Sequence, residues 1–210
     1  MDYGLCNLNI IPLRLEDSDC SEMVSQVLYG DLFEILEITE KWCKDRLVDD
    51  QYEGWIDNKQ CKKISLSEFD ELSRKIPKLS THLLDIITTD TNTLLPISIG
   101  SNTAISKFLN HSFEGATTSK KLNKSNLTEF AQMYLNSPYL WGGKTPFGID
   151  CSGFTQMVYK LCGYQLFRDA SQQVNQGEVL SFIEESEAGD LAFFDNEEGE
   201  ITHVGILLDH

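Results

Sequence analysis

The sequence predicts an α+β fold, with a strand-rich first part followed by two helices and a closing pair of antiparallel strands. Three observations carry that reading. Residues 24–65 consist of short runs rich in Val, Ile, Phe, Tyr and Trp, punctuated by Gly30 and Gly54. From Ser125 the apolar spacing changes to a helical period. After Gly163 comes a polar segment, and then two short apolar runs on either side of an acidic turn.

Taken in order, "VSQVLYGDLFEILEIT", "KWCKDRLV" and "YEGWI" read as strands. In "KWCKDRL" the side chains alternate, so Trp42, Lys44 and Arg46 share one face while Cys43, Asp45 and Leu47 share the other. Such a small, strongly bent antiparallel sheet is most economically a barrel, assigned to residues 1–75. Trp42 and Trp55 are expected in its core or at an interface.

Residues 76–121 are a bridging segment and linker, with a partial second barrel as one reading. Just before them, "SLSEFDELSRKI" reads as a short helix capped by Ser67; "HLLDIITTDTNTLLPISIGS" then reads as two strands around a polar turn, and "EGATTSKKLNKS" as linker. Residues 122–210 form the last unit. Asn126 and Glu129 suggest a capping box, Leu127, Phe130, Ala131 and Tyr134 make an apolar face, and Pro138 stops the helix. In "GIDCSGFTQMVYKLCG", Phe154, Met157, Val158 and Leu161 fall at i, i+3, i+4 and i+7, and Gly163 suits a left-handed helix end. Cys162 falls near that apolar face as a buried, inert thiol. "GDLAFFD" and "THVGILLD" are the closing strands.

Composition narrows the functions. The formal charge of -16 divides into -7 for residues 1–121 and -9 for residues 122–210. Both parts repel phosphate, so nucleic acid and anionic membrane surfaces are poor partners. The acid either keeps the chain soluble or helps to bind a cationic substrate group. No run approaches the roughly 18–20 apolar residues of a membrane helix. The N-terminus shows no basic stretch followed by a long apolar one, and a cytoplasmic, monomeric protein is the expectation. Six cysteines without a CxxC pair suggest reduced thiols, and neither they nor the four histidines have metal-ligand spacing, so no metal or cofactor is expected.

The chemistry centres on Cys151, placed between Asp150 and Ser152 where a helix begins. Unpaired N–H groups and the positive end of a helix dipole favour an anionic sulfur and can receive a developing oxyanion. By itself this position more often marks a packed or capping cysteine than a nucleophile. A nucleophilic cysteine needs an imidazole base, and His203, at the start of the last strand, is the candidate. His82 and His111 lie in the bridge as surface or capping residues.

"YLWGG", "GIDCSGF", "GDLAFF" and "THVGILL", in this order, closely resemble the NlpC/P60 family of papain-like cysteine peptidases, over about residues 123–210. "LYGDLFEIL" and "YEGWI" resemble the bacterial SH3-type barrel that commonly accompanies this peptidase. The resemblance implies that Cys151 is the nucleophile and His203 the general base. The implied reaction is hydrolysis of the γ-D-glutamyl to diamino-acid bond of peptidoglycan stem peptides whose N-terminal L-alanine is free, during cell-wall recycling.

A free ammonium needs a carboxylate partner, and Asp150 is the natural candidate, with helix N-cap as its equally weighted alternative. Tyr139 and Asp169 match positions that line the substrate pocket in such relatives. Tyr52, and with it Asp31, would close the site beyond the L-alanine. Trp141 is expected to pack beneath the active-site loop, and Gly142 and Gly143 to permit a backbone turn.

The resemblance also implies a third polar residue about a dozen positions after the base. This chain ends at His210, which does not match that position, so the expectation is a truncated version of a longer protein, or a domain lacking its last strands and weak or inactive. A non-catalytic wall-peptide binding protein and an amide acyltransferase are the competing readings.

Overall fold

The computed structural model describes residues 2–208. Seven antiparallel strands build the first sheet: β1 (Asp2–Leu5), β2 (Ile10–Arg14), β3 (Met23–Leu28), β4 (Leu32–Ile38), β5 (Trp42–Leu47), β6 (Glu53–Asp57) and β7 (Lys62–Ile64), in the order β3-β2-β6-β5-β4-β1-β7. Alternation decides which face is inside: on β5, Cys43, Asp45 and Leu47 are buried while Lys44 and Arg46 are half-exposed. Ile11, Leu13, Val27, Phe33, Ile35, Cys43 and Ile56 fill the interior of the curled sheet. Trp42 is buried and Trp55 half-buried. β1 and β2 lie outside the runs assigned from sequence, because neither is long enough to declare itself without its partners.

Helix α1 (Leu66–Ser73) follows the sheet, capped by Ser65 rather than Ser67. Ser65 is extended and exchanges hydrogen bonds with Glu68 in a capping box, whereas Ser67 already lies inside the helix. The bridge then contributes β8 (Leu79–Ser80), the hairpin β9 (Leu84–Thr88) and β10 (Leu94–Ser98), and β11 (Thr117–Thr118), which pairs with β8. These pieces share a core with the first sheet, in which Leu5, Tyr29 and Leu32 meet Leu72, Ile87, Ile97 and Ile105.

Helices α2 (Ser125–Met133) and α3 (Cys151–Leu161) pack on one another. The expected Asn126 cap does not form, because Lys124 is already helical (φ -55°, ψ -33°) and Asn126 sits within the first turn. Between the helices, β12 (Lys144–Thr145) and β13 (Gly148–Ile149) pair as a tight hairpin. A one-turn helix α4 (Ala170–Gln173), β14 (Leu191–Asp195) and β15 (Ile201–Ile206) complete the described chain, with β14 and β15 antiparallel and β15 packed on α3.

Met157, Val158, Leu161 and Cys162 of the α3 face are fully buried, together with Leu28 from the first sheet and Ile99 from the bridge. Each large apolar side chain in this shared core contributes about 1.5–3 kcal/mol. The strand, bridge and helix regions are thereby held in one packed body. Among the described residues no helix is long and apolar enough to cross a membrane.

Candidate active site

Cys151 is the first residue of α3 and is half-buried. Asp150 before it is extended (φ -95°, ψ 175°), and its Oδ1 accepts from Gly153 N at 2.7 Å, which caps the helix. Its Oδ2 accepts from Gly142 N at 2.8 Å, tying the glycine turn to the helix start. Gly142 has φ +77°, and a Cβ there would lie 2.2 Å from Met23 O of the first sheet, so only glycine fits.

The remaining capacity of Asp150 is taken by Arg168, a guanidinium that is only 1% exposed. Arg168 donates to both carboxylate oxygens, at 3.0 and 2.6 Å, and also to Ser152 Oγ at 2.9 Å and Ser25 Oγ at 3.0 Å. The start of α3 is thus fixed simultaneously to the glycine turn and to β3. Gln173 extends the network by bonding Thr155 Oγ1 and Ser152 O.

In front of Cys151 lies a cleft of about 470 Å³ with four walls. The strand region supplies Glu22, Val24 and Tyr52; the glycine-turn loop supplies Trp141; residues 168–171 form a third wall; and Ile201 and Thr202 of β15 a fourth. Tyr52 OH donates to Asp169 Oδ1 at 3.1 Å, and Trp141 Nε1 donates to Glu22 Oε1, so both bonds join the strand region to the helical region across the cleft. Burial pushes the Asp169 carboxyl up, with the Tyr52 bond opposing it in part. Burial likewise raises the Tyr52 phenol, helped by the neighbouring Asp169 charge.

His203 lies on the exposed side of β15, next to Thr202, with its ring centroid 5.7 Å from that of Phe194 on β14. Among the described residues its imidazole makes no hydrogen bond. His210 lies outside the described residues.

Cys151, Asp150, Tyr52 and Asp169 therefore converge on one cleft, and β15 carries His203 beside it. Tyr139 is 66% exposed at the rim, close enough for Cys151 and Asp150 to raise its phenol beyond the effect of burial. Asp31 is a correction. It caps the turn at Leu28 and pairs with Lys160 at 3.1 Å, near the far end of α3, where it lines a separate cavity of about 410 Å³. Nine residues of helix put that point about 13 Å from Cys151. Burial opposes the Lys160 charge, but Asp31 and Asp49 outweigh it, so this carboxylate serves the junction between the sheet and α3.

Trp141 is also corrected: it is 59% exposed and lines the cleft instead of packing beneath it. Sequence reasoning missed Arg168 and Glu22. Arg168 stands beside Asp169 in an otherwise neutral polar segment, where nothing signals burial; Glu22 sits in an acidic turn that reads as solvated surface.

Comparison with known proteins places these features. The model of the NlpC/P60 family matches residues 136–210, and that of the bacterial dipeptidyl-peptidase SH3 domain matches residues 13–60. A gamma-D-glutamyl-L-lysine dipeptidyl-peptidase of Bacillus subtilis (strain 168) is 37% identical over 104 residues, which cover 49% of this chain and 35% of that protein. Dipeptidyl-peptidase 6 of Lysinibacillus sphaericus is 39% identical over 90 residues, 42% of this chain and 31% of that protein. The matched stretch is thus a minor part of either relative. An NlpC/P60 family protein from Bacillus cereus ATCC 10987 superposes with a TM-score of 0.79 at 18% identity, covering 98% of this chain and 88% of that one. The likeness shows a shared fold across both regions.

Proposed function

The chain carries an NlpC/P60 domain behind a bacterial dipeptidyl-peptidase SH3 domain, and from that premise we propose that it is a cysteine peptidase acting on peptidoglycan stem peptides. The bond cut is the γ-D-glutamyl to diamino-acid amide of peptides whose N-terminal L-alanine is free. One observation carries the reading: Cys151 stands at a helix N-terminus, on a cleft closed on one side by the Tyr52–Asp169 contact between the two domains.

The Cys151 sulfur attacks the γ-carbonyl, and the N–H groups at the start of α3 receive the oxyanion. His203 takes the thiol proton and delivers it to the departing amine, and water then hydrolyses the thioester. The free ammonium is read by carboxylates of the cleft. Both oxygens of Asp150 are already filled by Arg168, Gly142 and Gly153, so its part is to hold the helix start. Glu22 and Asp169 retain unfilled lone pairs and face the cleft from two sides. Tyr52 blocks any residue preceding the alanine, which restricts the enzyme to free amino ends. Such ends occur on fragments released from the wall, so the proposed setting is cytoplasmic recycling by a monomer. The name of the Bacillus subtilis relative supports the bond assigned.

Incubation with L-Ala-γ-D-Glu-diaminopimelate, followed by mass spectrometry, tests this. Release of L-Ala-γ-D-Glu by the native chain, lost in Cys151→Ala, is the expected result. A non-catalytic binding protein is the second reading, favoured by the lack of a hydrogen bond orienting His203 among the described residues. Tight binding of the peptide without cleavage would establish it in place of the first.

A further inference from the structure

The cavity of about 410 Å³ near the far end of α3 plays no part in the proposed reaction, although its size is that of a small-molecule site. Three regions enclose it: the first sheet, the end of α1 with the bridge, and the linker where it runs beside the end of α3. Leu32, Leu72, Leu79 and Leu161 give it a buried apolar lining.

Its charges set it apart from the rest of the chain. Lys75, Lys120, Lys121 and Lys160 line it against only Asp31 and Asp49, a surplus of two positive charges in a protein whose net charge is -16. Lys160 is held by both aspartates, and Lys75 pairs with Glu71 on α1. Lys120 and Lys121 have no carboxylate partner among the described residues; Lys121 lies 4.4 Å from the centre of the Tyr164 ring, which also lines the cavity. Asp49 gives one oxygen to Lys160, and its other oxygen has no partner among the described residues. Uncompensated ammonium groups on two neighbouring residues gain from a bound anion, while the spare Asp49 oxygen favours a cation.

We propose that this cavity is a second ligand site, which takes a short acidic peptide with a free amino end. The carboxylates of the peptide meet Lys120 and Lys121, its ammonium meets Asp49, and its aliphatic part lies against the leucines. An anion without an ammonium leaves Asp49 as a like charge and binds less well. L-Ala-γ-D-Glu, with one ammonium and two carboxylates, has this chemistry, so the site binds the product of the reaction proposed above; that identification rests on the reaction, whereas the charge pattern does not. Val48 and Asp49 line this cavity and Tyr52 lines the catalytic cleft, so the occupant holds the turn between β5 and β6 that also forms the cleft wall.

The test is calorimetric titration of L-Ala-γ-D-Glu into the full chain carrying Cys151→Ala, at low salt. Tyr52→Ala, which alters the cleft, and the double variant Lys120→Glu/Lys121→Glu, which alters the cavity, are prepared in the same background. Both lysines are exposed, so the double variant keeps its melting temperature within a few degrees. The expected result is a binding event that persists in Tyr52→Ala and weakens at least about tenfold in the lysine variant, with a loss of similar size when the dipeptide is N-acetylated. No binding, binding untouched by the lysine exchange, or equal binding of the N-acetylated dipeptide at the lysine-sensitive site overturns the proposal. Lysine-sensitive binding by a chain whose native form cleaves no stem peptide supports the site and contradicts the reaction, so the two fail separately.

Discussion

Replacing Arg168 with methionine removes four hydrogen bonds at once, two to Asp150 and one each to Ser152 and Ser25. The more important effect is on what remains. Asp150, only 6% exposed, keeps two backbone donors but loses the opposite charge that justified its burial. Breaking a buried ion pair from one side costs about 3–5 kcal/mol. For a chain of this size each kcal/mol moves the melting temperature by about 2–4 °C, so Arg168→Met is expected to melt roughly 6–20 °C below the native protein. Asp150→Asn strands the guanidinium instead and falls in the same range. The double variant removes both charges and loses less than the sum of the two single changes, by about 1 kcal/mol or more. Thermal unfolding of all four proteins by circular dichroism measures this cycle. A single-variant loss of about 0.5 kcal/mol or less, the size of an ordinary surface change, or strict additivity in the cycle, would refute the assignment of this pair as the anchor of the start of α3.

Further outcomes follow from other contacts. Lys160→Met leaves the buried Asp31 without its cation and is expected to cost about 3–5 kcal/mol in denaturant unfolding, whereas Lys120→Met, on the surface, stays within about 0.5 kcal/mol. Tyr52→Phe removes the bond to Asp169 and lowers stability by about 1 kcal/mol, while Tyr52→Ala opens the cleft and raises cleavage of peptides extended beyond the alanine relative to free-ended ones, read from their kcat/KM ratio. The Asp45 carboxyl is raised in the folded state from 3.8 to about 7, so the folded protein binds the extra proton. Its contribution is present at low pH and is lost as pH rises from about 4 to 7, an interval worth on the order of 4 kcal/mol. Asp45→Asn should flatten that part of the stability profile measured by urea unfolding, and an unchanged slope would count against the buried carboxyl as its source.

Local patterns made much of the fold legible. The alternation in "KWCKDRL" matches the buried face of β5, and the apolar spacing after Cys151 matches the face of α3 in the core. Gly142 and Gly163 have the positive φ values of tight turns. What the sequence concealed is tertiary. α3 also buries Thr155 and Gln156, whose partners Gln173 and Asp50 lie on other elements, so its polar face reads as solvated until those elements are placed. For the same reason nothing in the sequence marks Arg168, and Asp150 reads as a carboxylate for substrate until its saturating partner is placed. Asp31 and Tyr52 both come from the SH3 region, but only Tyr52 reaches the cleft, a distinction that depends on how two domains dock.

The claim that the cleft reads a free amino end is tested most directly by comparing kcat/KM for L-Ala-γ-D-Glu-diaminopimelate with that for its N-acetylated counterpart. Acetylation removes the ammonium and drives added bulk against Tyr52. Loss of the charge-assisted hydrogen bonds alone, about 1.5–3 kcal/mol, reduces kcat/KM by roughly 10- to 150-fold, and the steric conflict adds to this. The account predicts a drop of at least that size, of which Tyr52→Ala relieves only the added steric part; equal turnover of the two peptides by the native protein would contradict it.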